Sequence, residues 1–133
     1  MAEGKGRYEV EHIWSNHFDR HTDEFTSPAE FAESRNRLGD LLLLPKTFNA
    51  SYGALPYEDK LEHYFGQNLL AKSLHHNCYE RHPGFRRFCE RTEIEFKAHN
   101  NFLKADLEER QMLYRKLADE VWNPNRINPE VIA

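Results

Sequence analysis

How little of this chain can be strand, and where that little lies, limits its fold more than anything else in it. Residues 8–13, Tyr-Glu-Val-Glu-His-Ile, alternate in the manner of a half-buried strand. Leu41 to Leu44 make a short apolar run, entered through Gly39 and closed by Pro45, which fits a short buried strand. After Pro45 the apolar residues follow helical spacing. The expectation is an α+β fold, mostly helical: two short antiparallel strands plus a helix, followed by a helical C-terminal half.

Between the strands, residues 14–37 are polar and rich in His, Asp, Glu, Arg and Asn. Ser27, Pro28 and Glu30 carry the signature of a helix start: a hydroxyl cap, a proline at the first position and an acid at the third. The sequence predicts a short helix near 28–36, a helical turn over 46–52 around Asn49, and a helix from about 56 to 65 with Leu61, Tyr64 and Phe65 at helical spacing. Leu69, Leu70 and Leu74 continue that pattern past Gly66. Pro83-Gly84 marks a break, after which Phe85, Phe88 and Phe96 suggest one helix to about residue 97. A last helix, about 104–122, carries Leu107, Leu113, Leu117, Val121 and Trp122 and is ended by Pro124. Residues 1–7 read as a flexible lead-in, and residues 8–133 as a single domain with a core at 8–65 and a helical extension at 66–133.

With 133 residues, 39% of them hydrophobic and including 9 Phe, 6 Tyr and 2 Trp, the chain has the material for a real core. A charged share of 30%, and no apolar run near the roughly 20 residues of a membrane helix, predict a soluble, cytoplasmic protein with no membrane partner. Cys78 and Cys89 are too few for a disulfide framework and are expected as free thiols. The net charge of -4 argues against strong stand-alone binding to nucleic acid.

Four polar residues stand out against this background: Glu11 and His12 in the first strand, Asp40 before the second, and Asn49 in the next helical turn. Hydrolysis of a phosphodiester needs a base to take a proton from the attacking water, and a histidine with an ordinary pKa of about 6.5 suits that task. It also needs positive charge at the phosphate and the leaving oxygen, which a hard divalent cation supplies. Mg²⁺ prefers oxygen and keeps several waters, so the Glu11 carboxylate and the Asn49 amide oxygen suffice as protein ligands. Neighbouring strand residues point to opposite faces, so Glu11 and His12 converge only if the strand end is bulged or turned. Taken singly, each residue has an ordinary reading: a strand-end histidine, a solvated strand acid, a turn residue and a helix cap. Their order and spacing together are what point to chemistry.

The segments Val10-Glu11-His12-Ile13, Leu38-Gly39-Asp40-Leu41 and Phe48-Asn49, with Lys60 downstream, resemble the HNH (His-Me finger, ββα-metal) nucleases. Within that group they are most similar to the C-terminal nuclease domain of GmrSD-type modification-dependent restriction endonucleases. The resemblance covers residues 8–60 well and 107–122 loosely, where Arg110, Leu117 and Trp122 match a late helix. It implies a small ββα-metal finger in which His12 is the general base, Glu11 and Asn49 hold Mg²⁺ (or Mn²⁺), and Lys60 contacts a phosphate. Asp40 falls where the family has its middle Asn, a member of the catalytic set that holds the histidine loop. An Asp accepts hydrogen bonds there but does not donate them. The implied function is a metal-dependent DNA endonuclease domain of a restriction or anti-phage protein, leaving 5′-phosphate ends. The chain has no Walker-type Gly-rich loop, so the NTP-using partner domain that the resemblance also implies is fused elsewhere or separate. A second reading, suggested by Asp40 and the negative charge, is a nuclease-fold domain without catalysis that serves as a DNA-binding or assembly module. The sequence does not distinguish DNA from RNA, nicking from double-strand cleavage, or one oligomeric state from another.

Three further groups bear on function. Arg81, Arg86, Arg87 and Arg91, with Lys97 and Lys104 beyond, form the most basic region; Arg86, Arg87 and Arg91 are either nucleic-acid contacts or a solvated face offset by Glu80, Glu90, Glu93 and Glu95. His75, His76, Cys78, His82 and Cys89 cluster without the spacing of a zinc motif and read as a helix end with solvated imidazoles. His17 and His21 stand four apart in the polar spacer, where they could assist the site.

Overall fold

The computed structural model describes residues 7–123, so residues 1–6 of the expected lead-in and Pro124 lie outside it. β1 (Tyr8–His12) and β2 (Leu41–Pro45) pair antiparallel in one unbroken register, from Tyr8 opposite Pro45 to His12 opposite Leu41. Period 2 then sets the faces: Glu9, Glu11, Leu42 and Leu44 share one, and Tyr8, Val10, His12 and Leu43 share the other. Leu42 and Leu44 are buried while Tyr8, Val10 and Leu43 are exposed, so the first face is the inner one. With no extra residue inserted at the end of β1, Glu11 turns inward and His12 outward.

Seven α-helices complete the described residues: α1 (Pro28–Arg35), α2 (Lys46–Tyr52), α3 (Tyr57–Tyr64), α4 (Leu69–Lys72), α5 (Asn77–Arg81), α6 (Pro83–Thr92) and α7 (Lys104–Val121). This is the α+β, mostly helical class that the sequence predicts. α1 begins as expected, with Pro28 in its first turn and the Ser27 hydroxyl accepting the Glu30 N–H at 3.2 Å. α2 follows β2 without a loop and packs on both strands, burying Phe48. The β1–β2–α2 unit is two antiparallel strands followed by a helix, the order of elements expected from the sequence.

The helix expected to run on past Gly66 is three short ones. Asn68 restarts the chain as an N-cap, its side chain accepting from the Ala71 N–H at 3.2 Å. Pro83-Gly84 opens α6 rather than only breaking the chain, because a proline is tolerated in a first helical turn. The helix expected to reach about residue 97 stops at Thr92, where Glu93 takes a left-handed conformation with φ 59°. From there to Leu103 the chain is irregular, burying Ile94, Phe96 and Phe102.

The main apolar cluster is built around Trp14, which packs against Phe25, Phe31 and Phe102 and donates its ring N–H to the Phe102 carbonyl at 2.6 Å. It draws on residues from both sides of position 65, including Leu42, Leu44, Phe48, Tyr64, Leu74 and Leu107. A second cluster joins Cys89, Ile94, Phe96 and Leu113. Among the described residues no helix is long and apolar enough to cross a membrane.

Candidate active site

His12 is half-buried at the end of β1, with Nε2 2.9 Å from the side-chain oxygen of Asn36. Asn36 Nδ2 donates to the Ala32 carbonyl at 2.9 Å, which fixes the amide so that its oxygen faces the imidazole. An amide oxygen only accepts. Nε2 therefore carries the proton in the neutral ring, and Nδ1 keeps its lone pair. Burial lowers the pKa of His12 below the ordinary histidine value, with Arg35 and Lys60 acting in the same sense and the Asn36 bond and the Glu11 charge against it. The ring is thus held neutral, in one tautomer, with a free acceptor nitrogen.

The loop after His12 is pinned from both sides. Asp40 accepts the Ile13 N–H on its backbone carbonyl at 2.7 Å and the Trp14 N–H on Oδ1 at 3.0 Å. Lys60 Nζ donates to the carbonyls of His12 at 2.9 Å and Ile13 at 3.4 Å. The Ser15 hydroxyl donates to the Gly53 carbonyl at 2.9 Å. Asp40 thus lies against the histidine loop. Its second oxygen, Oδ2, is the one buried side-chain N or O among the described residues without a hydrogen bond. Burial pushes its pKa well up, against the Trp14 N–H and the charges of Arg35 and Lys60.

Glu11 and Lys60 lie elsewhere than the sequence suggested. Both are buried, Glu11 1% and Lys60 0% exposed, with Lys60 Nζ 3.0 Å from Glu11 Oε2. The Tyr64 hydroxyl donates to the same carboxylate oxygen at 2.8 Å. Burial lowers the Lys60 pKa against the opposing Glu11 charge, and it raises that of Tyr64 well above the phenol range, with Glu11 adding to it. The cause of these placements is periodic. Glu11 sits on the inner sheet face, and Lys60 shares the buried side of α3 with Tyr57, Leu61 and Tyr64. In this arrangement Glu11 is committed to a cation and a phenol, and Lys60 faces the histidine loop rather than solvent.

The acid that meets Asn49 is Glu9. Asn49 Nδ2 donates to Glu9 Oε1 at 3.2 Å. Both line a shallow cleft of about 400 Å³ together with Asn16, His17, Arg35 and Lys46. Gly53 closes α2 beside it. A Cβ at Gly53 would overlap the Asn49 side-chain oxygen and stand 2.6 Å from the Asn49 carbonyl, so the glycine is what leaves room for the amide. Arg35 reaches the cleft from the end of α1, with Nε donating to the Trp14 carbonyl at 2.8 Å. His12 does not line this cleft, but its partner Asn36 directly follows Arg35. Of the two spacer histidines, His17 lines the cleft, while His21 packs on Trp14 and Phe31 at ring distances of 4.9 and 4.7 Å.

The remaining candidates lie apart from the cleft. Arg87 and Arg91 share a surface depression with Phe88 and Glu90, and Arg91 stands over the Phe88 ring at 5.4 Å. Arg86 lines another groove together with Glu90, Glu93 and Glu95. His75 has both ring nitrogens engaged, Nε2 with Glu62 at 2.8 Å and Nδ1 accepting the Asn77 N–H at 3.1 Å. Cys78 and Cys89 are buried free thiols whose pKa values burial raises. Arg110 is buried on backbone and hydroxyl oxygens, and Trp122 is exposed.

Sequence reasoning passed over Glu9, Arg35, Asn36 and Gly53. Only Glu9 carried a usable signal, since strand alternation places it on the face of Glu11. No curated protein and no solved structure matches the chain. One family model does, that of GmrSD restriction endonucleases, C-terminal domain, over residues 2–117. With most of its length inside that match, the chain belongs to the family of C-terminal, nuclease-type domains of GmrSD restriction endonucleases.

Proposed function

We propose that this domain is an HNH-type, metal-dependent endonuclease that hydrolyses phosphodiester bonds in DNA, with His12 as general base. The observation that carries the proposal is the Asn36–His12 pair, which fixes the proton on Nε2 and leaves Nδ1 open to accept one, while burial favours the neutral ring. Nδ1 takes the proton of the attacking water, and the bond from Nε2 to Asn36 spreads the charge that results. Asp40 and Lys60 keep the loop from shifting while this happens.

The residues fit a hard divalent cation at one place. Glu9 and Asn49 stand together on one cleft wall with the amide Nδ2 toward the carboxylate; turned over, the amide would set its oxygen beside that carboxylate, a pair that suits Mg²⁺ or Mn²⁺ with most of its waters retained. Glu11 does not fit, because its carboxylate is buried on Lys60 and Tyr64. A cation held by Glu9 and Asn49 would supply positive charge to the phosphate and the leaving oxygen. Residues 8–133 act in this reading as one cytoplasmic nuclease domain of a restriction or anti-phage system. Choice of substrate, modified or phage DNA, rests largely with an NTP-using partner domain. The competing reading, an inactive module that binds DNA or assembles, draws support from Asp40, where the family has Asn.

Plasmid nicking with Mg²⁺ or Mn²⁺ tests the proposal. Nicking is expected to vanish in EDTA and to fall by about a hundredfold or more in His12→Ala. The acid limb of the pH profile should lie below about 6.5 in the wild type, the ordinary histidine value. Asn36→Asp should move that limb upward, because a carboxylate at Nε2 favours the imidazolium. Wild-type speed in His12→Ala would remove the base. No nicking with DNA binding retained would favour the module.

A further inference from the structure

We infer that Arg35 grips the scissile phosphate, where the resemblance implied only a phosphate contact, at Lys60. The inference rests on the nuclease reading and deepens it. Arg35 is the last residue of α1, and its Nε is tied to the Trp14 carbonyl at 2.8 Å. That bond orients the guanidinium plane. Its two terminal nitrogens have no hydrogen-bond partner among the described residues, and no described carboxylate comes within 4.0 Å of them. Burial lowers the pKa of this guanidinium, with the charges of Asp40 and Glu11 acting the other way.

Neither of those acids forms an ion pair with it. Glu11 is taken by Lys60 and Tyr64, and the carboxyl oxygens of Asp40, one of them bonded to the Trp14 N–H, stay beyond 4.0 Å. The cleft that Arg35 enters is lined by two cations, Arg35 and Lys46, and by one carboxylate, Glu9. A half-buried, oriented cation with an open fork in a cleft of surplus positive charge is built for an anion. A guanidinium fork matches two phosphate oxygens at once. The phosphate it would hold lies against the wall formed by Glu9 and Asn49. Arg35 is also one residue along the chain from Asn36, which sets the tautomer of His12. Lys60, by contrast, is fully buried with its three contacts on Glu11, His12 and Ile13.

The test separates binding from turnover. In a His12→Ala background with EDTA, binding of a short fluorescein-labelled DNA duplex is followed against salt by anisotropy. Adding Arg35→Gln should weaken binding about tenfold or more and lower the log–log salt slope by about one. Arg115→Gln, which removes an exposed charge elsewhere on α7, should change neither as much. In the otherwise wild-type chain, Arg35→Lys keeps the charge and a donor for the Trp14 carbonyl but loses the fork. It should lower kcat/KM about tenfold at an unchanged melting temperature. An unchanged salt slope in Arg35→Gln, an equal effect of Arg115→Gln, or full activity in Arg35→Lys would each overturn the inference while leaving the nuclease reading intact. A wild-type protein that neither nicks nor binds DNA would overturn both.

Discussion

Asp40 is held as a carboxyl group with one oxygen bonded to the Trp14 N–H and the other bare, and this asymmetry carries a pH signature. Burial raises its folded-state pKa above the unfolded value of about 3.9. A group shifted upward contributes stability below its unfolded pKa and loses it as pH rises through the folded pKa. The protein should therefore lose stability as pH climbs from about 4 toward neutrality on account of this residue. Asp40→Asn keeps the carbonyl oxygen for Trp14 and removes the titration. Its melting temperature should exceed that of the wild type near neutral pH, and the gap should close toward about pH 4. Thermal unfolding across that range checks it, and a gap constant with pH would mean that the carboxyl does not titrate there. Residue identity at this scale was only partly legible in the sequence. The set of Glu11, His12, Asp40 and Asn49 could be picked out by order and spacing, but what each side chain touches could not. Glu11 meets Lys60 across 49 positions of sequence, and a buried partner so distant leaves no local trace in either segment.

At the scale of elements, the early chain was legible because its signals are local. Alternation marks β1, Gly39 and Pro45 bracket β2, and Ser27 with Pro28 starts α1. The end of α6 was not, and the reason lies in its aromatic residues. Phe85 and Phe96 stand at a helix-compatible spacing and their rings do meet, at 6.0 Å between centroids. Phe96 reaches that contact from an irregular segment in which Ile94 and Phe96 are buried and Glu95 is exposed, so the periodic match is a coincidence of packing. What stops the helix is Glu93 at φ 59°, a conformation that costs a side-chain-bearing residue about 1 kcal/mol and a glycine almost nothing. Glu93→Gly removes that cost and adds some freedom to the unfolded chain. The expected net effect is a gain of about 0.5 kcal/mol in urea unfolding, with α6 ending at the same residue. A loss of stability would show that the Glu93 side chain supports the turn through its own contacts.

Across the whole molecule, the two apolar clusters are joined by a buried cation whose role is mechanical. Arg110, 1% exposed on α7, donates from Nη2 to the Leu70 carbonyl at 2.6 Å and the Ser73 hydroxyl at 3.2 Å, and from Nε to the Tyr114 hydroxyl at 2.8 Å. The Tyr114 hydroxyl donates on to the Leu41 carbonyl in β2 at 3.3 Å. The guanidinium also lies over the rings of Phe96 and Tyr114, at 5.6 and 5.0 Å. One side chain thereby ties the sheet, α4 and the second cluster to the helix that packs on the turn before β2. Arg110→Met fills much of the same volume but leaves the Tyr114 and Ser73 hydroxyls without a donor and the Leu70 carbonyl with the Ser73 hydroxyl in place of two donors, at a cost of about 3 kcal/mol. The loss should fall unequally. Amide exchange at Cys89 and Leu113, in the second cluster, should accelerate more than at Leu44 and Tyr64, in the main one. Trp14 fluorescence in a Trp122→Phe background should then report a main-cluster transition at higher denaturant than the opening of the second. Trp122 is 73% exposed, so its removal leaves Trp14 as the fluorescent reporter of the core. Equal acceleration at all four amides would mean that contacts other than Arg110 couple the clusters. A selective loss would mean that the histidine loop, held by Asp40 and Lys60 within the main cluster, keeps its geometry when the distal helices loosen.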